Sequence, residues 1–144
     1  MDKVIPDKWV RKAVFTALNN ITVNGNTIKC YDTRVTGRNI PDHYILMSTQ
    51  TNTTSKQNKC EWFYESSILI DIVTSYKLPG NSGSRLLADD ILDSARNLTQ
   101  SLALDVTSGL SIITQTDDFP NDISTTTENE NIFRKFLRLE LLIK

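Results

Sequence analysis

Apolar residues at Val10, Ala13, Val14, Ala17, Leu18 and Ile21 step by three and one, which puts them on one stripe of a helix over residues 6 to 20. Pro6 suits its first turn, where a missing N–H costs nothing, and Asp7 places negative charge at the positive end of the dipole. The helix is expected to fray at Asn19-Asn20. The period then changes to two. Ile21-Thr-Val23 and Thr27-Ile-Lys-Cys-Tyr31 flank Asn24-Gly-Asn26, a short hairpin signal whose first arm is a stub. Residues 32 to 42 read as a loop broken by Gly37, Asn39 and Pro41, and His43 to Thr51 as a strand. The longest strand signal spans Cys60 to Tyr76. There Ile68, Ile70, Ile72 and Thr74 share one face, while Leu69, Asp71, Val73 and Ser75 share the other.

After a turn at residues 77 to 84, with Ser84 as N-cap, Leu87, Ile91, Ala95, Leu98 and Leu102 predict a second amphipathic helix over Arg85 to Leu102. A strand follows from Leu110 to Thr116, then an acidic, Thr-rich loop over residues 117 to 131, then a closing strand from Ile132 to Ile143. In that last strand Leu137, Leu139, Leu141 and Ile143 alternate with Phe136, Arg138, Glu140 and Leu142. The order α-β-β-β-α-β-β predicts an α+β fold, a mostly antiparallel sheet with two helices packed on one face. No repeat or boundary divides residues 1 to 144, so one domain is expected. The second sheet face is mixed rather than wet. Together with long strand edges, that asks for a partner. The polar segments 52–58 and 117–131 are expected to be mobile in the free chain and to order on assembly.

Composition removes several function classes. The net charge of −1 gives no long-range field for steering nucleic acid. No run approaches the ~20 apolar residues of a spanning helix, and the opening residues lack a signal-peptide core, so a chain made in a cytoplasm, with no membrane partner, is expected. Three Asn-x-Thr acceptor patterns, at Asn20, Asn52 and Asn97, then read as chance matches. One His and two distant Cys leave little for catalysis. Cys30 and Cys60 read as free thiols. A Cys30 nucleophile with His43 as base would need hydrogen-bond reach and a lowered thiol pKa, and no spacing argues for either. Asp89 and Asp93 share a helix face without a His or a calcium-loop Gly, and read as solvated. The turn before the second helix lacks the Lys of a phosphate loop. No cofactor is expected. The charge asymmetry suggests a different use. Arg34, Arg38, Lys56 and Lys59 make the middle basic, whereas Asp117, Asp118 and Asp122 mark the acidic segment. Copies packed head to tail would set one group against the other.

The opening helix followed by Tyr31-Asp32, the phrase Pro41-Asp-His-Tyr-Ile-Leu-Met47, and the long strand ending in a Gly-containing turn before a helix resemble the tail-terminator, or tail-completion, family of tailed bacteriophages. The resemblance covers most of the chain as an ordering of elements. It departs at residues 117–131 and in the closing strand, which are longer than the pattern. It implies a non-enzymatic virion protein of the tail or neck. Copies, six or twelve, would form a ring that caps the tail tube, joins it to neighbouring connector and tail proteins, and lets DNA pass through its lumen without sequence-specific binding. Another ring or adaptor protein of the portal–tail region fits the same features. A small-ligand module or enzyme is the rival from a different class, and a clear melting shift with nucleotides or metals would favour it.

Overall fold

The computed structural model describes residues 4–35, 40–55, 63–80 and 83–144. The elements are α1 (Asp7–Leu18), β1 (Ile21–Val23), β2 (Asn26–Asp32), β3 (His43–Ser55), β4 (Phe63–Lys77), α2 (Leu86–Thr99), β5 (Ile112–Asp118), β6 (Ile123–Thr126) and β7 (Glu130–Ile143), with a 3-10 turn at Val106–Ser108. The strands form one sheet in the order β1-β2-β3-β4-β7-β5, and β6 also pairs with β7. Every pairing is antiparallel except β2 with β3. The expected α+β fold with a mostly antiparallel sheet is therefore the observed one.

Local chemistry accounts for the ends of elements. Pro6 caps α1, and its carbonyl accepts from Val10 N–H at 2.9 Å. Asn24 and Gly25 both take positive φ, as the tight β1–β2 hairpin requires. Arg85, not the expected Ser84, stands at the N-cap of α2 and makes no side-chain cap; Ser84, one residue earlier, accepts from Leu86 N–H through its Oγ at 3.3 Å and so satisfies a free donor of the first turn.

The core lies between the helices and one sheet face. Val10, Val14 and Leu18 of α1, with Ala88, Ile91 and Ala95 of α2, are buried. They cover Ile45, Ile68, Ile70, Ile72, Leu137, Leu139 and Ile143, which are also buried. Each such aliphatic side chain contributes about 1.5–3 kcal/mol when withdrawn from water. Thr99, buried in α2, satisfies its hydroxyl on Ala95 C=O at 2.7 Å. The central pair, β4 with β7, runs unbroken from Tyr64↔Ile143 to Lys77↔Glu130.

Two expectations need correction. Residues 117–131 are not one continuous loop; only 119–122 and 127–129 lie outside strands. Asp117 and Asp118 finish β5, and β6 pairs with β7 from Ile123↔Arg134 to Thr126↔Asn131. The segment Phe119-Pro-Asn-Asp122 separates the two strands, which otherwise follow one line along β7. Proline has no N–H for a ladder, so the break falls where the sequence places it. Residues 52–55 are likewise strand, because β3 pairs with β4 as far as Ser55↔Phe63. Polar threonines hide such strands from a hydrophobicity pattern, although Thr itself favours the pleated surface. The polarity of β2 and β3 was also invisible in the sequence. They run parallel, and among the described residues no helix lies between them in the chain.

Candidate functional site

The face of the sheet opposite the helices is the candidate site. Alternation along β2, β3, β4 and β7 brings Tyr31, Tyr44, Leu46, Leu69, Val73 and Phe136 to it. Most are half-buried, and Tyr31 and Tyr44 meet edge to face at 6.1 Å. In this apolar setting sits Asp71, only 1% exposed. Its carboxylate accepts from both arms of the Arg134 guanidinium, Nε at 3.3 Å and Nη2 closer still. A buried carboxylate persists only when paired in this way. The hydrogen bond to Asp71 raises the Arg134 pKa, and burial raises that of Tyr44, helped by the Asp71 charge. Arg134 also lies over the Phe136 ring at 5.8 Å.

Two depressions lie on this face, and Arg134 lines the first. One, of about 430 Å³, is bordered by Ile40, Pro41, Tyr44, Val73 and Ile132. The other, of about 490 Å³, is lined by Thr51, Thr53, Glu65, Thr114, Thr116 and Glu140. Both are open, and hydroxyl and carboxylate groups dominate the second. The chemistry available is that of a surface: aromatic and aliphatic contact around one ion pair, with a hydroxyl-rich band beyond it.

The catalytic candidates are not assembled. Cys30 is buried on the helix side of β2, and burial, then the Asp32 charge, push its thiol up to about 12. No hydrogen bond links it to His43 among the described residues. The His43 ring meets that of Tyr76 at a tilt, centroids 5.3 Å apart, and burial lowers its pKa despite the nearby Asp42 charge. Cys60 lies outside the described residues. Asp89 is paired with Lys135 at 2.9 Å rather than with Asp93, and no group of metal-ligating side chains occurs among the described residues. No helix there is long and apolar enough to cross a membrane.

The interface charges divide. Arg38, Lys56 and Lys59 lie outside the described residues. Arg34 is exposed just after β2. Each acidic member has a partner in its own chain: Asp117 with Arg96 at 2.9 Å, Asp118 with Arg138 at 3.4 Å, and Asp122 with Arg85 at 3.1 Å and Lys135 at 3.5 Å. Arg85, then Lys135, hold the Asp122 carboxyl below its ordinary pKa. The sequence reading missed the Asp71–Arg134 pair. Asp71 falls on the outer face of a strand, and only the register Asp71↔Phe136 and Val73↔Arg134 reveals its neighbour.

No family model and no curated protein matches the chain. Among solved structures the fold is similar to a chain of one described as "Virion of native gene transfer agent (GTA) particle". The TM-score is 0.62, the alignment covers 94% of this chain and 96% of that one, and the identity is 12%. At that identity the likeness is one of fold.

Proposed function

We propose that this protein is a structural component of a phage-like virion, and that its copies close into a ring at the head-proximal end of a tail or in the neck. The observation that carries the reading is the end-to-end match of its fold to a virion chain, 94% of one on 96% of the other. A half-apolar outer sheet face and a thiol held protonated suit a protein that works through surfaces. In this role the ring caps the tail tube, contacts connector and tail proteins on either side, and encircles the path of DNA. The basic residues of the middle of the chain, Arg34, Arg38, Lys56 and Lys59, and the acidic Asp117, Asp118 and Asp122 supply complementary charge between copies. Reversing Asp117 and Asp118 should weaken assembly and change its salt dependence, and unchanged assembly would count against these contacts.

The test is negative-stain imaging with solution mass from light scattering. Closed rings at a fixed multiple of 16.3 kDa are expected. A monodisperse monomer at every concentration would overturn the ring. Copy number and virion neighbours then separate a terminator from an adaptor of the portal–tail region.

A further inference from the structure

Among the described residues, two opposite edges of the sheet lack a strand partner at the same height. β2 pairs with β3 only from Tyr44 to Met47, so no described strand pairs with the outer side of β3 from Ser48 to Ser55. That stretch, Ser48-Thr-Gln-Thr-Asn-Thr-Thr-Ser55, carries no charge and no proline, the usual devices that protect an edge. Across the sheet, β5 pairs on its inner side with β7, and its outer side has no described partner. Following the registers row by row, Gln50 aligns through Ile68 and Leu139 with Asp117. Asn52 aligns through Ser66 and Leu141 with Gln115, and Thr54 through Tyr64 and Ile143 with Ile112. The two edges are thus level.

The backbone groups also point the right way. Thr33 N–H donates to Met47 C=O at 2.9 Å, so Met47 faces outward. The irregularity between Met47 and Gln50 adds one residue, which turns Gln50, Asn52 and Thr54 outward as well. On the far edge Ser111 and Lys144 exchange both backbone bonds at 2.9 Å, so Ser111 faces β7. Past the second irregularity Thr114, Thr116 and Asp118 face inward, and Gln115 and Asp117 outward.

We infer that the outer edge of β3 in one copy pairs, antiparallel, with the outer edge of β5 in the next, making one continuous sheet around the assembly. This rests on the ring reading above. A copy related by rotation about an axis parallel to the strands keeps its height, so Asn52 meets Gln115 and Gln50 meets Asp117 as hydrogen-bonded pairs. Thr51 then faces Thr116 and Thr53 faces Thr114, hydroxyl against hydroxyl. Arg34, exposed where β2 ends at the Met47 row, comes to the height of the neighbour's Asp118, which lies between the Met47 and Gln50 rows. Side chains on the β5 edge are already fixed: Gln115 Nε2 donates to Thr99 C=O and Asp117 holds Arg96, which leaves the backbone free to pair.

Thr51 and Thr116 are exposed and would form a non-hydrogen-bonded pair between copies, with Cα atoms at about 4.5 Å, within disulfide reach. In a Cys60→Ser background, Thr51→Cys with Thr116→Cys should give, on oxidation, a covalent ladder up to the ring's copy number, while each single variant stops at dimers. Rings in micrographs without a ladder would overturn edge pairing and leave the ring standing. Neither rings nor a ladder would overturn both. Thr54→Pro removes an outward N–H and none that β4 uses, so it should abolish rings without lowering the denaturation midpoint. Rings that persist in this variant would also overturn the pairing.

Discussion

Removing Arg134 tests whether the outer face is built around its ion pair. Asp71 is 1% exposed, whereas the Arg134 side chain is 40% exposed, so the pair is buried from one side. At the 3.3 Å Nε–Oδ1 distance the gross attraction is about 5 kcal/mol with an effective dielectric of 20. Desolvation offsets most of that. Leaving a wholly buried charge unpaired costs about 3–5 kcal/mol, and water entering beside a half-exposed arginine lowers the figure. Arg134→Ala should therefore destabilise by about 1–3 kcal/mol. Asp71→Leu with Arg134→Met should recover most of the loss, because an apolar pair suits Tyr44, Leu46 and Phe136. Urea denaturation of wild type, both single variants and the double variant gives the coupling directly. Arg134→Ala within about 0.5 kcal/mol of wild type, with no coupling, would refute the account. Asp71 would then be tolerated for some reason other than its partner.

Three further outcomes follow from the core and its titrating groups. Ile70→Ala should cost about 2–5 kcal/mol in urea denaturation, since the residue is fully buried between Met47 and Leu137. In the Cys60→Ser background native Cys30 should react with a thiol reagent at pH 8 at least about a hundredfold more slowly than in urea, because burial removes both access and thiolate. A native rate equal to the denatured rate would contradict the burial. His43 has a lowered pKa in the fold, so between the unfolded value of 6.5 and the lower folded value the unfolded chain binds the extra proton. Stability from this group is complete above that window and is lost as pH falls through it. His43→Gln should flatten the slope of the denaturation midpoint between pH 7 and the acid side of that window.

The edge pairing rests on the ring but draws on different features, and rings without a ladder would sink the pairing alone. The virion reading rests on a whole-chain fold. The pairing draws on registers within one sheet.

Helical and alternating periods, read from the residues alone, located both helices and the central strands. They also put Ile68, Ile70 and Ile72 on one face of a strand, and Leu137, Leu139, Leu141 and Ile143 on one face of another, and these are the faces the helices cover. This works because burial selects one face of each element, and the period of that face is written in the order of residues. Segments that bury little, such as β6 and the far half of β3, leave no such trace, and Thr and Ser there read as loop. Their strand state comes from backbone bonds to β7 and β4, which side-chain pattern does not encode. Only the tertiary structure decided the parallel pairing of β2 with β3, the union of Asp71 with Arg134, and the level of the two bare edges. Each joins residues far apart in the chain, and register fixes such neighbours where local sequence cannot.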